Sequence, residues 1–335
     1  MSYIGMKYGD ISPRVGLHSV AKMLVTAKPQ LVFEKYASVT EVPKNKGLLI
    51  KFRRPLKFPA ATTPLTEGVT PTPNTLNYED VSVALAQYGS WVQFTDVIAD
   101  THEDPVLNDI SEQAGDQAAL TKERLMWGML RGGTNVLYTG GDTQRSDVEV
   151  PMDLDDVRAA VRILKNNHAK MITKVQKAST AIATEPVGAS YIAFAHTNLE
   201  ADIRDMVSFV PTEKYSTGAG TVVSEFEIGK VENVRFVITN HAEPFYGAGS
   251  TNIAGVLNNG TRVDVYPVVF FGQDAYACTP LSGGSLMTGV KNPKMASGDT
   301  DPLGQRGYMS WKMWFACLIL NQSWIVRLET AASAL

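Results

Sequence analysis

The chain has 335 residues, 44% apolar and 19% charged, with a formal net charge of -3. That is ample material for a buried core in two or three lobes. The near-neutral balance excludes a polybasic nucleic-acid binder and leaves only weak, local or indirect contact with DNA.

The opening MSYIGMKYGDISPRVG lacks the basic flank and long apolar run of a signal peptide. Residues 1–45 mix polar, aromatic and basic side chains without a period. They read as an arm, with a helical turn or two between residues 20 and 36. An arm of this kind frays unless something holds it.

Residues 47–52 (GLLIKF) predict a strand, ended by Arg53 and Arg54 before Pro55. Residues 58–75 (FPAATTPLTEGVTPTPNT) hold Pro59, Pro64, Pro71 and Pro73. Proline fixes φ and removes donors, so this segment is neither helix nor central strand. Residues 76–95 alternate again and predict a second long strand, bulged at Gly89. Two strands flanking a proline-rich tip make an extended β-arm with too little core to stand alone, so it predicts a partner surface.

Between residues 104 and 131 the apolar period changes to that of a helix. Asp104 is its cap, Pro105 its first position, and Gly132 and Gly133 its stop. A helix of that length spans roughly 40 Å and suits a structural spine. A second helix is expected over 154–173, capped by Asp153, with Asp155 and Asp156 at its positive end. Further on, the pattern predicts a buried strand over 190–194 and a short helix over 198–208. More strands are expected over 227–238, 263–271, 310–320 and 324–328. No stretch reaches the ~18–20 uninterrupted apolar residues of a membrane span; the nearest, 311–326, is broken by Lys312, Asn321, Gln322 and Ser323. There is no internal repeat, and the whole reads as α+β.

Reactive motifs are absent from the sequence. The five histidines (His18, His102, His168, His196, His241) show no metal spacing. There is no nucleophile elbow and no phosphate loop; Gly247-Ala248-Gly249-Ser250 reads as a glycine turn. Asp153, Asp155 and Asp156 read as helix-end charges. The cysteines, Cys278 and Cys317, read as two buried thiols of a reducing compartment. Trp311, Lys312, Trp314 and Trp324 could stack nucleobases, but their alternation with apolar residues favours a core strand. No catalytic residue, metal or cofactor is expected, and the chain is not expected to be an enzyme.

The blocks RRPLKFPAATTPLTEGVTPTPNTL, QYGSWVQFTD and DPLGQRGYMSWKMWFACLILNQSWIVRLE resemble the N4-like major capsid proteins of tailed bacteriophages. Residues 301–329 and TPLTEG at 63–68 are the most specific, and roughly 178–260 carry less of the match. The resemblance implies an α+β, Hong Kong 97 type (Johnson) fold. It implies an N-terminal arm at 1–45 and an extended β-loop at 46–95. A peripheral domain would follow at 96–180 with the spine helix at 104–131, then an axial domain at 181–285 and returning strands at 286–335. It further implies pentamers and hexamers closing into an icosahedral shell around double-stranded DNA. The implied partners are the chain itself, a scaffolding protein, a portal and a decoration protein, with assembly in the host cytoplasm and residence in the virion. No membrane is involved.

Two contact expectations follow. Arg53 and Arg54 pair with carboxylates of an adjacent subunit, Glu67 being the opposite candidate. The tip over 63–73, with Pro64, Leu65, Glu67, Pro71 and Pro73, is the main grip between subunits. The rivals are an encapsulin-like nanocompartment shell, a decoration or tail protein, and a hydrolase or lyase with an unrecognised site.

Overall fold

The structure, a computed structural model, describes residues 31–101, 106–177, 183–215, 225–252, 254–282, 286–291, 293 and 303–334. The described residues begin with a 3-10 turn (Phe33–Tyr36), followed by strands β1 (Ser38–Val39), β2 (Leu49–Pro55), β3 (Tyr78–Ala84) and β4 (Ala86–Thr95), then helices α1 (Asp96–Thr101) and α2 (Val106–Leu130). Next come β5 (Val136–Tyr138), α3 (Leu154–Asn166), β6 (Ile172–Lys177), β7 (Ala183–Ala195) and α4 (Glu200–Arg204). The strands β8 (Phe209–Pro211), β9 (Glu227–Val231), β10 (Val234–Ile238) and β11 (Tyr266–Phe271) follow. The last are β12 (Tyr276–Pro280), β13 (Met287–Lys291), β14 (Arg306–Ile319) and β15 (Ile325–Thr330).

An eight-stranded mixed sheet, ordered β5-β15-β11-β7-β10-β9-β8 with β6 also on β7, forms the centre. Its inner stretches, all of β11 and Tyr191–Ala195 of β7, are apolar and buried at every position because both faces are covered. On β11, Tyr266, Val268 and Phe270 face one core while Val269 and Phe271 face the other. β7 divides its residues the same way: Tyr191, Ala193 and Ala195 on one side, Ile192 and Phe194 on the other. The first core is closed by Val157, Ala160 and Leu164 of α3 and by Ile203 of α4. The second is closed by Met126, Trp127 and Leu130 of α2 and by residues of a second, five-stranded sheet.

In that second sheet β14 is the shared strand. β4 pairs along one edge from Thr95↔Arg306 to Ala86↔Phe315, and β12 and β13 take successive parts of the other edge. Its inner residues Met309, Trp311 and Met313 pack on Ile110, Ala114 and Ala118 of α2. The Trp311 indole N–H donates to Gln117 Oε1 at 3.0 Å. The third sheet is the two-stranded ribbon β2–β3, which runs in register from Leu49↔Ala84 to Pro55↔Tyr78.

Several boundaries differ from the sequence expectation. The first strand does not stop at Arg53 and Arg54; both lie inside β2, because each meets a carboxylate on β3. The strand expected over 76–95 is two strands, broken where Leu85 turns into a small core with Val42 and Ala316. Gly89 is not a bulge. It sits in regular register opposite Lys312, and a Cβ there would lie 2.6 Å from the Trp311 carbonyl oxygen, so glycine permits the close approach of β14. The Asp104 cap falls outside the described residues; α2 runs to Leu130 and Gly132 and Gly133 close it as expected.

The second helix ends at Asn166 rather than near 173. His168 takes φ 54°, its N–H donates to Lys165 O at 3.0 Å, and the Ala169 N–H donates to Leu164 O at 2.9 Å. This is a Schellman stop with histidine at the left-handed position, and residues from Ile172 onward form a strand instead. The start of that helix is as expected in that Asp153 caps it; Asp156, expected only as a helix-end charge, returns a bond to the Asp153 N–H and completes a reciprocal capping box. The short helix expected over 198–208 is a 3-10 turn (Thr197–Leu199) followed by α4, ending at Arg204.

Candidate functional site

Alternation in the ribbon β2–β3 leaves half of each strand exposed and the other half only partly covered, and no residue of either strand is buried. Only its base is anchored, where Ile50 and Val83 touch the Leu85 core. The ribbon is held together by charge. Arg53 makes a two-pronged contact with Asp80 (Nε to Oδ1 2.8 Å, a terminal nitrogen to Oδ2 3.2 Å), and Lys51 adds a third contact at 2.8 Å. The hydrogen bond from Arg53, then that from Lys51, holds the Asp80 carboxyl well below the usual carboxylate range. Arg54 binds Glu79 Oε2 at 2.9 and 2.6 Å, and Arg53 also stacks over the Tyr78 ring at 5.3 Å. Both arginines singled out in the sequence therefore have partners on the facing strand of the same chain. Glu67 is not among those partners.

Beyond Pro55 the chain leaves the ladder for 22 residues before Tyr78. Pro64, Leu65, Glu67, Pro71 and Pro73 all lie in this exposed stretch. Its end is a tight turn, with the Val69 N–H donating to Thr66 O at 3.1 Å and Gly68 at φ 77°. A side chain at such a φ is strained, so glycine belongs there. Leu65 is 79% exposed, and Val69, Phe58, Leu76 and Leu56 stand in solvent beside it. Apolar exposure on this scale marks an interaction surface.

Charged groups elsewhere are used internally. Arg145 grips the fully buried Glu329 with two contacts at 2.6 and 2.7 Å and lies 3.6 Å above the Phe245 ring. Tyr215 donates to Glu227 at 2.7 Å, with Arg235 alongside. Glu123 of α2, which is buried, accepts the backbone N–H groups of Val32 (2.8 Å) and Phe33 (3.2 Å). Burial raises its pKa to about 7 against the pull of those two donors. This clasp fixes the start of the described chain to α2, and the Tyr276 hydroxyl closes it by donating to Phe33 O at 2.7 Å. The sequence reading missed Glu123, which looks like one more polar residue on a helix.

Among the described residues no group of three His, Cys, Asp or Glu is placed to hold a metal ion. Nor is any described helix long and apolar enough to cross a membrane. His196 caps a 3-10 turn, its Nδ1 accepting the Asn198 N–H at 3.1 Å. Cys278 and Cys317 face each other across β12 and β14, and burial pushes both thiols up. The Gly247 turn binds Asp264, whose carboxylate accepts the Gly247 N–H at 2.6 Å. Trp311 is core, as its alternation suggested.

Comparison with known proteins gives these features a context. The family model described as phage capsid protein matches residues 78–317. The major capsid protein of Pseudomonas phage KPP21 is 23% identical over 266 residues, a match covering 74% of this chain and 66% of that protein. The capsid structure of Ralstonia phage GP4 superposes with a TM-score of 0.68 at 12% identity, covering 99% of each chain. The capsid of cyanophage Pam1 gives 0.65 at 13% identity over 100% of each. The fold is thus that of phage capsid subunits, and with the family model matching most of its length this chain belongs to the phage capsid protein family and is a structural subunit of a bacteriophage capsid.

Proposed function

We propose that this chain is the major coat protein of a tailed phage, of the N4-like group and Hong Kong 97 type. Many copies would join as pentamers and hexamers into a closed icosahedral shell around double-stranded DNA. The observation that carries the reading is the ribbon β2–β3 with its 22-residue tip: it contains no buried side chain, displays Leu65, Val69 and Phe58, and has no stabilising body behind it. Such a projection gains stability only against a neighbour. Repetition by symmetry then multiplies modest contacts into a durable container.

In this reading residues 1–45 are the arm, 46–95 the loop that overlaps an adjacent subunit, and α2 the spine of a peripheral domain spanning 96–180. Residues 181–285 converge at the symmetry axes and 286–335 return to the periphery. A scaffolding protein, a portal and a decoration protein are the partners to expect, with assembly in the host cytoplasm. The net charge of -3 suits an inner wall that touches packaged DNA without gripping it. The chain works by assembly and catalyses nothing.

Negative-stain electron microscopy of the concentrated protein, alone and co-expressed with its scaffolding partner, tests this. Closed polyhedra or five- and six-membered rings are expected. A stable monomer under both conditions would overturn the reading.

A further inference from the structure

Two sulfurs meet on the inner side of the second sheet. Cys278 of β12 and Cys317 of β14 are direct partners in the antiparallel ladder, and side chains so placed leave the sheet on the same face. Helix α2 marks that face. The Cys278 Sγ lies 3.7 Å from Met126 Sδ, and the Cys317 Sγ lies 3.6 Å from the carbonyl oxygen of Leu125, the residue before Met126 on that helix. Both thiols are free.

An antiparallel ladder has two kinds of residue pair, and this one is the closer kind. The Cys278 carbonyl accepts the Thr40 N–H at 3.1 Å, and the Pro280 carbonyl accepts the Val42 N–H at 3.0 Å. These alternate residues of β12 thus turn their backbone groups to the β1 side, away from β14. Ala275, just before β12, does the opposite: its carbonyl accepts the Leu320 N–H at 2.9 Å. Cys278 and Cys317 therefore form a non-hydrogen-bonded pair, in which Cα atoms stand about 4.5 Å apart. Disulfides span Cα separations of about 4.4–6.8 Å, so a bridge fits here without a shift of the strands.

We propose that Cys278 and Cys317 are a latent disulfide, open in a reducing cytoplasm and closed within one chain once the protein meets an oxidising medium. The proposal rests on the shell-subunit reading only for that change of surroundings, since shells leave the cell in which they are made. The oxidant required is a low-molecular-weight disulfide. Cys317, only half-buried, is the entry point. Its thiolate attacks one sulfur of the reagent, forming a mixed disulfide and releasing one reagent thiol. The fully buried Cys278 then attacks the Cys317 sulfur, and the second reagent thiol leaves. Two protein thiols are oxidised, the reagent is reduced to two thiols, and the two cysteine protons end on them. Burial pushes the Cys317 thiol up to about 11 and the Cys278 thiol up as well, so thiolate is scarce near neutrality and closure is slow.

The bond has a defined structural effect. β12 is built into the second core through Tyr276, and β14 carries β4 and with it the root of the ribbon. A link between them closes the chain from Cys278 to Cys317, β13 included, into a loop, which narrows the unfolded ensemble.

The test exposes the full chain, folded and reduced, to hydroxyethyl disulfide in mildly alkaline buffer, then denatures it in the presence of N-ethylmaleimide. The expected product takes no maleimide, runs as a monomer on a non-reducing gel, and yields one peptide pair joining Cys278 to Cys317. Its melting temperature should rise by about 5 °C and fall back on reduction with dithiothreitol. Cys278→Ala is expected to stop at the mixed disulfide on Cys317. Both thiols still labelled after prolonged exposure, links between chains, or a mixed disulfide that persists on the unmodified chain would each overturn the proposal. If the chain never forms particles, the shell reading fails while the thiol result on the subunit stands; if particles form and both thiols stay labelled, only the disulfide fails.

Discussion

All six residues of β11 are buried, whereas none of the seven in β2 nor the seven in β3 is. The central sheet feeds two cores from alternate residues and is complete within one chain. The ribbon spends its polar alternation on ion pairs and leaves its apolar tip uncovered. The difference separates what keeps the subunit folded from what makes it useful to a neighbour, and each can be perturbed without the other.

The largest effect should come from the body. Phe194 is fully buried, 4.9 Å from the Phe33 ring and 4.7 Å from the Phe271 ring. Phe194→Ala is expected to cost about 3–5 kcal/mol in urea unfolding of the disassembled subunit. A loss below about 1 kcal/mol would mean that the two-core description is wrong.

Glu123 should give a smaller, pH-dependent effect. Burial, the main cause of its raised pKa, makes the folded state hold the Glu123 proton more tightly than the unfolded state does. Stability from this group is therefore greatest at low pH, declines as pH climbs from the ordinary carboxylate range toward about 7, and is level above that. The charges beside it are Glu34, which opposes its ionisation, and Lys122, which favours it and pairs with Glu34 at 2.6 Å. Glu123→Gln should flatten the pH dependence of the unfolding midpoint across that window. An unchanged slope would show that Glu123 does not titrate there.

The ribbon pairs should matter least to folding. Arg54→Glu is expected to leave the unfolding midpoint of the subunit unmoved while disturbing the ribbon. Adding Glu79→Arg restores the cross-strand pair in reversed order. If the pair serves only the ribbon, the double variant assembles normally. If Arg54 instead meets a carboxylate of an adjacent subunit, the double variant still fails.

The readable parts of the sequence were those with a local physical signature. A proline-dense segment cannot be a helix or central strand, so the exposed tip was legible from residues 58–75 alone. The cap Asp153 and the paired stop Gly132-Gly133 announced helix ends for the same reason. The end of α3 was hidden because histidine, not glycine, occupies the left-handed position at residue 168. Leu85 was hidden because a strand break made by long-range packing leaves an unbroken alternation behind. The intrachain partners of Arg53 and Arg54 were within reach of the sequence: Arg-Arg on one strand faces Glu79-Asp80 on the next in antiparallel order. Reading the arginines as inter-subunit hooks passed over that closer match. The outer face of the second sheet could not be read at all, since Gly89, Trp91, Gly289 and Tyr308 come together only once β4 and β13 flank β14.

The placement of β14 also has a mechanical consequence. The ribbon enters the body through β4, which is laid against β14 over ten successive residue pairs. Tension drawn along β4 by anything gripping the tip would load those hydrogen bonds together in shear, since they lie across the direction of pull. A ladder attached end-on would unzip bond by bond. Because the other edge of β14 is stitched to β12 within the second core, a tug at the tip is delivered to the buried interior. Neighbours pulling on one another through the tip would thus strain the chain where it resists most.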